Sequence, residues 1–393
     1  MKKVFLFSLF LVLGLVLSQC LPVWLGEAFL TAEKVAKTLM FVCLAFIMIN
    51  VGREFELDKT KWRSYAADYF IAMATAAVPW IMVAFYYMFL LPADLFGNWD
   101  AWKENLLLSR FAAPTSAGIL FTMLAAAGLR REWIYKKTQV LAIFDDLDTI
   151  LLMIPLQIFM IGFKWQLFAV VIVITFLLVI GWKKLGTIRL SQTWKSILFY
   201  AVCIVAVTES IYLLTKWMMG ADGAIHIEVL LPAFVLGMVM KTVQQHGNRD
   251  EKITGMISYL FMFLVGLSTP QFIGIDHGHR ITEAVGIIAA QPMPSWEVLV
   301  VHVIVVTLLS NLGKMFPLFF YRDRQLEERL ALSVGMFTRG EVGAGIIVIA
   351  MGYNLGGPAL IISVLSFVLN LLLTGGFVVI VKRLAQQAYG LKE

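Results

Sequence analysis

The stretch LAIFDDLDTILLMIPL, residues 141–156, decides how the rest of the chain is read. Three carboxylates, Asp145, Asp146 and Asp148, interrupt a run otherwise apolar enough to cross a bilayer. On insertion scales an Asp at the bilayer centre costs about 2.5–3.5 kcal/mol, while each Leu, Ile or Phe returns only about 0.3–0.6 kcal/mol. Three such residues, charged and without partners, would cost roughly 7–10 kcal/mol. Acids kept at that depth mark ion pathways or proton relays, and they need partners on other helices of a bundle.

The surroundings support a membrane setting. The chain has 393 residues, of which 60% are hydrophobic and 15% charged, and its mean hydropathy is +0.83. A soluble domain carries about a quarter charged residues. Runs such as VFLFSLFLVLGLVL and LFAVVIVITFLLVI recur along the chain, each near the ~20 residues that cross ~30 Å of hydrocarbon. The pattern predicts twelve spans, roughly 4–20, 36–52, 67–91, 107–128, 138–160, 166–182, 196–215, 226–240, 253–268, 297–319, 330–351 and 358–381. The expected fold is all-α and polytopic, with no enzyme motif: no phosphate loop, no G-x-S-x-G and no ligand-spaced histidine pair. Cys20, Cys43 and Cys203 are scattered in apolar surroundings and suggest neither disulfides nor a zinc site.

The net charge of +6 does not point to nucleic acid. Counted by loop, alternate segments starting at the N-terminus hold 23 Lys and Arg, and the intervening ones hold 6. By the positive-inside rule both termini are expected to be cytoplasmic. The N-terminal MKKVFLFSLFLVLGLVLSQC has the look of a secretion signal, but Gln19 stands where a lipoprotein cleavage box wants a small residue, so a retained first helix is expected. Three basic residues fall in or at the mouths of spans: Arg110, Lys314 and Arg339.

Two stretches look alike. MINVGREFEL (48–57) closes the second span and FLVGLSTPQF (263–272) closes the ninth. Three spans follow each, and the middle one of each set is interrupted. In RFAAPTSAGILF, Pro114 removes a backbone donor, and Thr115 and Ser116 can satisfy freed groups. In GMFTRGEVGAGI, glycines surround Arg339 and Glu341. The topology makes the two sets inverted repeats with crossed discontinuous helices, which points to a transport site near the midplane. Helix ends and unwound carbonyls could hold an ion there.

Opposite charges on separate helices can neutralise one another. Asp145 and Lys314 are natural partners, and Asp146 points about 100° away around the helix, out of reach of the same lysine. One carboxylate is then short of a partner and needs a proton or a cation. Asp148, roughly on the Asp145 face, is expected to support the site. Arg339 and Glu341 are expected to hold the broken helix, and Arg110 to snorkel to the interface. Glu209 falls outside both repeats, and His226 and His302 are expected to be hydrogen-bonded structural residues.

These motifs resemble the bacterial monovalent cation:proton antiporters of the Kef and NapA type. The matching stretches are LMFVCLAFIMINVGREFELD (39–58), APTSAGI (113–119), FDDLDT (144–149), FMFLVGLSTPQF (261–272), LSNLGKMF (309–316) and GMFTRGEVGAGIIVIA (335–350). The resemblance implies that Asp146 carries ion and proton and that Asp145 pairs with Lys314. Thr115, Ser116 and the Arg339–Glu341 stretch would form the crossed helices. It also implies a homodimer, a transport part near 67–160 and 297–381, and a scaffold near 4–52 and 166–268. Many relatives have a thirteenth span. The retained lysine is associated in the family with electrogenic exchange.

The function expected is therefore exchange of protons for Na⁺ or Li⁺, or else K⁺, without a cofactor and with no partner beyond lipid, ions and a second copy. A sodium-coupled organic-anion symporter is the nearest alternative, although adjacent carboxylates would repel an anion. A non-transporting membrane sensor is the other.

Overall fold

A computed structural model describes residues 2–25, 28–53, 62–115, 132–161, 186–219, 229–240, 248–269, 286–353 and 355–390, with isolated residues at 124 and 129 and between 172 and 184. Among them regular structure is helical, and β pairing is limited to one bridge, Ile188 to Met240. The helices are α1 (Lys2–Leu25), α2 (Ala28–Arg53), α3 (Trp62–Leu90), α4 (Trp99–Ser109), α5 (Trp133–Ile161), α6 (Trp194–Met219), α7 (Leu230–Val239), α8 (Asn248–Leu267), α9 (Trp296–Gly313), α10 (Leu326–Gly335), α11 (Glu341–Gly352) and α12 (Gly357–Tyr389). Helix occupies each expected span except the fourth and the sixth, most of which lie outside the described residues.

Both expected breaks are present. α4 passes into a 3₁₀ turn, Arg110–Ala112, after which residues 113–115 leave the helix. α10 stops at Gly335 and α11 restarts at Glu341. One boundary differs from the sequence reading: α4 begins at Trp99 and not near 107. The Asn98 side chain accepts hydrogen bonds from the Asp100 and Ala101 N–H groups and so nucleates the helix early. Its polar first turns, WDAWKEN, had the composition of a loop.

Two sets of helix contacts are prominent, and α1 packed against α12 bridges them. α3 lies against α4, α5 and α9, while α12 lies against α9 and α10. On the other side α1 pairs with α8, and α2 with α6 and α7. The apolar stripe Leu360, Val364, Phe367 and Leu371 runs along one face of α12 at helical spacing, and all four are buried in the main core with Val303, Val306 and Phe111. In the second set backbone meets backbone. A Cβ on Gly14 would stand 2.1 Å from the Phe263 carbonyl oxygen, and one on Gly266 would stand 2.2 Å from that of Leu11. Gly52 and Gly237 meet in the same way across α2 and α7, at 2.1 Å from Phe234 O and 2.2 Å from Ile49 O. Lipid tails are as apolar as Leu, so such close approach is what holds membrane helices together.

Candidate ion-binding site

The site lies where the two breaks meet α5. Lys314 caps the C-terminus of α9. Its Nζ donates to both oxygens of Asp145, each at 2.9 Å, and to Thr115 Oγ1 at 3.1 Å. The Thr115 hydroxyl in turn donates to the Met336 carbonyl at 3.1 Å, in the unwound stretch after α10. Arg339, on that same stretch, donates from Nη1 to the Pro114 carbonyl at 2.9 Å. Each break is thus bonded to the other. Pro114 has already left the helix, and the arginine of the opposite repeat supplies a donor to its carbonyl.

A second charge pair stands beside the first. Arg110, the C-cap of α4, donates from Nη2 to the Asp148 main-chain carbonyl at 3.0 Å and lies 3.5 Å from the Asp148 carboxylate. Its guanidinium stacks 4.4 Å from the Trp80 ring centroid, and the Trp80 indole N–H donates to the Leu106 carbonyl at 2.7 Å. Tyr69 of α3 is also in hydrogen-bond contact with Asp148. Asp145, Asp146, Asp148, Arg110, Lys314 and Arg339 are all buried, none more than 2% exposed.

Helix ends explain where the cations sit. The last carbonyls of a helix are unsatisfied and carry partial negative charge. Within a membrane no water covers them. Arg110 and Lys314 cap such ends, and Arg339 follows the cap of α10, Met336. Asp145 lies within the electrostatic reach of all three.

One expectation changes. Arg110 does not snorkel: because α4 starts at Trp99, Arg110 lies roughly 16 Å along the helix at 1.5 Å per residue, and it is fully buried. Counted among the described residues, three buried acids stand with three buried bases, Arg110 and Arg339 included, so the number of charges alone does not single out one acid. The carbonyls of Pro114 and Met336 each accept one hydrogen bond, from Arg339 and Thr115. Asp145 is bonded to Lys314, and Asp148 stands beside that pair in contact with Arg110. Ser116, His226 and the Glu341 side chain lie outside the described residues. His302 Nδ1 is 2.7 Å from the Tyr86 hydroxyl. Glu209 is half-buried on α6, which contributes nothing to the cluster.

Sequence reasoning missed a row of neutral polar groups. Asn311 Nδ2 donates to Asn370 Oδ1 at 2.9 Å, and Asn370 Nδ2 donates to Ser310 Oγ at 3.2 Å. Thr374 donates to the Asn370 carbonyl at 2.9 Å. All four are buried beside Lys314 in sequence or one turn along α12. The available signal was Asn370 itself, an amide in the apolar run SFVLNLLL. A second missed cluster ties the ends of α3 and α5 to the loop before α10. Lys137 donates to both Asp68 oxygens at 2.8 Å, and the Tyr321 hydroxyl donates to Asp68 at 2.8 Å. Burial, then the Asp68 carboxylate, pushes the Tyr321 phenol above its ordinary value, so it remains a donor. Its φ of 53° is left-handed, a strain that the bond to Asp68 and the ring contact with Trp133 help hold.

The family model for the transmembrane sodium/hydrogen exchanger matches residues 2–384. The chain belongs to the sodium/hydrogen exchanger family. Like that family, the exchanger is a membrane-embedded transporter and not an enzyme. Its fold is similar to that of the sodium/proton antiporter MjNhaP1 from Methanocaldococcus jannaschii, with a TM-score of 0.60 over 98% of this chain and 92% of that one, at 13% identity. No curated protein sequence matches it.

Proposed function

We propose that this exchanger carries protons against Na⁺ or Li⁺, or else K⁺, with Asp146 alternately holding the proton and the cation. The observation that carries this reading is the commitment of the two neighbouring acids. Asp145 holds Lys314 and Asp148 holds Arg110. A cation arriving at either would displace a resident base and strand it in hydrocarbon. Asp146 is the third acid, equally buried, and turned about 100° from Asp145 and 200° from Asp148 on the helix. A cation or a proton there leaves both resident pairs intact, so the two loaded forms compete for one carboxylate.

The fold supports the same proposal in its other parts. The helices around the two breaks, within 67–160 and 297–381, form the moving transport part. Those of 4–52 and 166–268, joined by glycine contacts, form the scaffold and the homodimer surface. The distribution of basic residues favours cytoplasmic termini in a bacterial inner membrane. Alternating access comes from rocking of the transport part about a fixed site.

The test is proton release from acidified everted vesicles on addition of Na⁺, Li⁺ or K⁺, with wild type beside Asp146→Asn. A cation-dependent response absent from the folded variant is expected. Normal exchange by Asp146→Asn, or a silent wild type that is folded and inserted, would sink the assignment.

A further inference from the structure

Arg110 is a buried cation that the exchange reaction does not itself use. Two of its guanidinium nitrogens, Nε and Nη1, have no hydrogen-bond partner among the described residues. The third, Nη2, makes its shorter bond to the Asp148 main-chain carbonyl, 3.0 Å against 3.5 Å to the carboxylate. A pair built for neutrality alone would put its short contact on the charged oxygens. This one ties Arg110 to the backbone of α5. The flat face of the guanidinium rests on Trp80 of α3, which is itself pinned to Leu106 of α4. A single side chain therefore joins α3, α4 and α5 at the depth of the carboxylates. A few residues beyond it in sequence, Pro114 and Thr115 are held from the opposite repeat by Arg339 and Met336. Two residues before its anchor, Asp148, stands Asp146.

We propose that Arg110 is a positioning residue for ion binding: through its bond to the Asp148 carbonyl it sets the register between the broken helix and Asp146, and with it the cation affinity of the site. This rests on the exchange reading above. Outer groups that orient a metal ligand change affinity by about 10–100-fold when lost. The effect therefore belongs in the half-saturating cation concentration and not in the maximal rate.

The experiment uses the full chain in liposomes, with Na⁺-driven proton movement giving both quantities, and Na⁺-dependent thermal stabilisation in detergent as a reading independent of transport. The variants are Asp146→Asn, Arg110→Lys and the double variant Arg110→Gln/Asp148→Asn. The double variant removes both charges together, so it strands no buried ion and separates geometry from neutrality. Both Arg110 variants should raise half-saturating Na⁺ about tenfold or more, keep the maximal rate within about threefold, and raise in parallel the Na⁺ needed for stabilisation. A double variant with wild-type half-saturation overturns the proposal, because the pair then serves neutrality alone. If the double variant does not fold, Arg110→Lys decides by the same criterion, since it keeps the charge and loses the planar face and the reach. A cation response lost in Asp146→Asn and unmoved in the Arg110 variants refutes the positioning role alone. A response absent from wild type, or retained by Asp146→Asn, refutes the exchange reading and the positioning role with it.

Discussion

Replacing Lys314 by Met tests the charge balance of the cluster. Lys314 and Asp145 are both fully buried, and the ammonium makes three hydrogen bonds, two to Asp145 and one to Thr115. Among the described residues, wild type has three buried acids and three buried bases at the crossing; Lys314→Met leaves three acids and two bases. Removing one partner of a buried pair costs about 3–5 kcal/mol, because the other charge is left uncompensated. Asp145→Asn should cost a similar amount for the opposite reason. The double variant Asp145→Asn/Lys314→Met restores a balance of two and two, and replacing a buried pair outright is neutral or stabilising by about 1–4 kcal/mol. The two substitutions should therefore be strongly non-additive, with a coupling of about 3 kcal/mol or more. The assay is unfolding in mixed detergent micelles, followed by the fluorescence of the 11 tryptophans. If the double variant loses as much stability as the two single variants combined, the side chains do not act as a pair, and the argument for their neutralisation fails. Exchange by the double variant is a separate readout. It should persist with altered pH dependence, since Asp146 is unchanged.

Two further outcomes follow from packing and loop anchoring. Gly52→Ala and Gly14→Ala each place a methyl about 2.1 Å from a backbone oxygen of a facing helix. Each should lower stability by about 1–3 kcal/mol in the same unfolding assay, whereas Gly97→Ala, with open space around its Cβ, should change nothing. At the end of the bundle Glu104 accepts hydrogen bonds from the Ile287 and Ile288 N–H groups at 3.1 and 2.9 Å. Glu104→Ala leaves two amides unsatisfied and should release the turn at 286–291, at a cost of about 1–3 kcal/mol. Limited proteolysis checks this, with faster cleavage in that turn expected and an unchanged pattern counting against the anchor.

How much of this was legible in the letters depended on whether a residue's partner is dictated by cost or by geometry. An Asp or a Lys inside an apolar run must find an opposite charge, so Asp145 and Lys314 could be matched across 169 positions without coordinates. Pro114 and Gly340 mark breaks because they continue a helix poorly, and both stand in the interrupted stretches, although Gly343 and Gly345 lie inside α11. Arg110 was misread for a geometric reason. Its depth depends on where α4 begins, and that is set by the Asn98 cap on a segment whose composition is that of a loop. The amides of Asn311 and Asn370 escaped because a neutral polar group costs less to bury than an ion and has no sign by which to choose a partner. The cations obey one physical rule that the linear sequence conceals. Lys314 and Arg110 cap helices ending inside the bundle, and Arg339 follows a third such end, where unsatisfied carbonyls draw positive charge. The same ends would otherwise attract the transported cation. Filling them with tethered bases supports the proposal that a carboxylate, and not a helix terminus, is the group for which proton and metal ion compete.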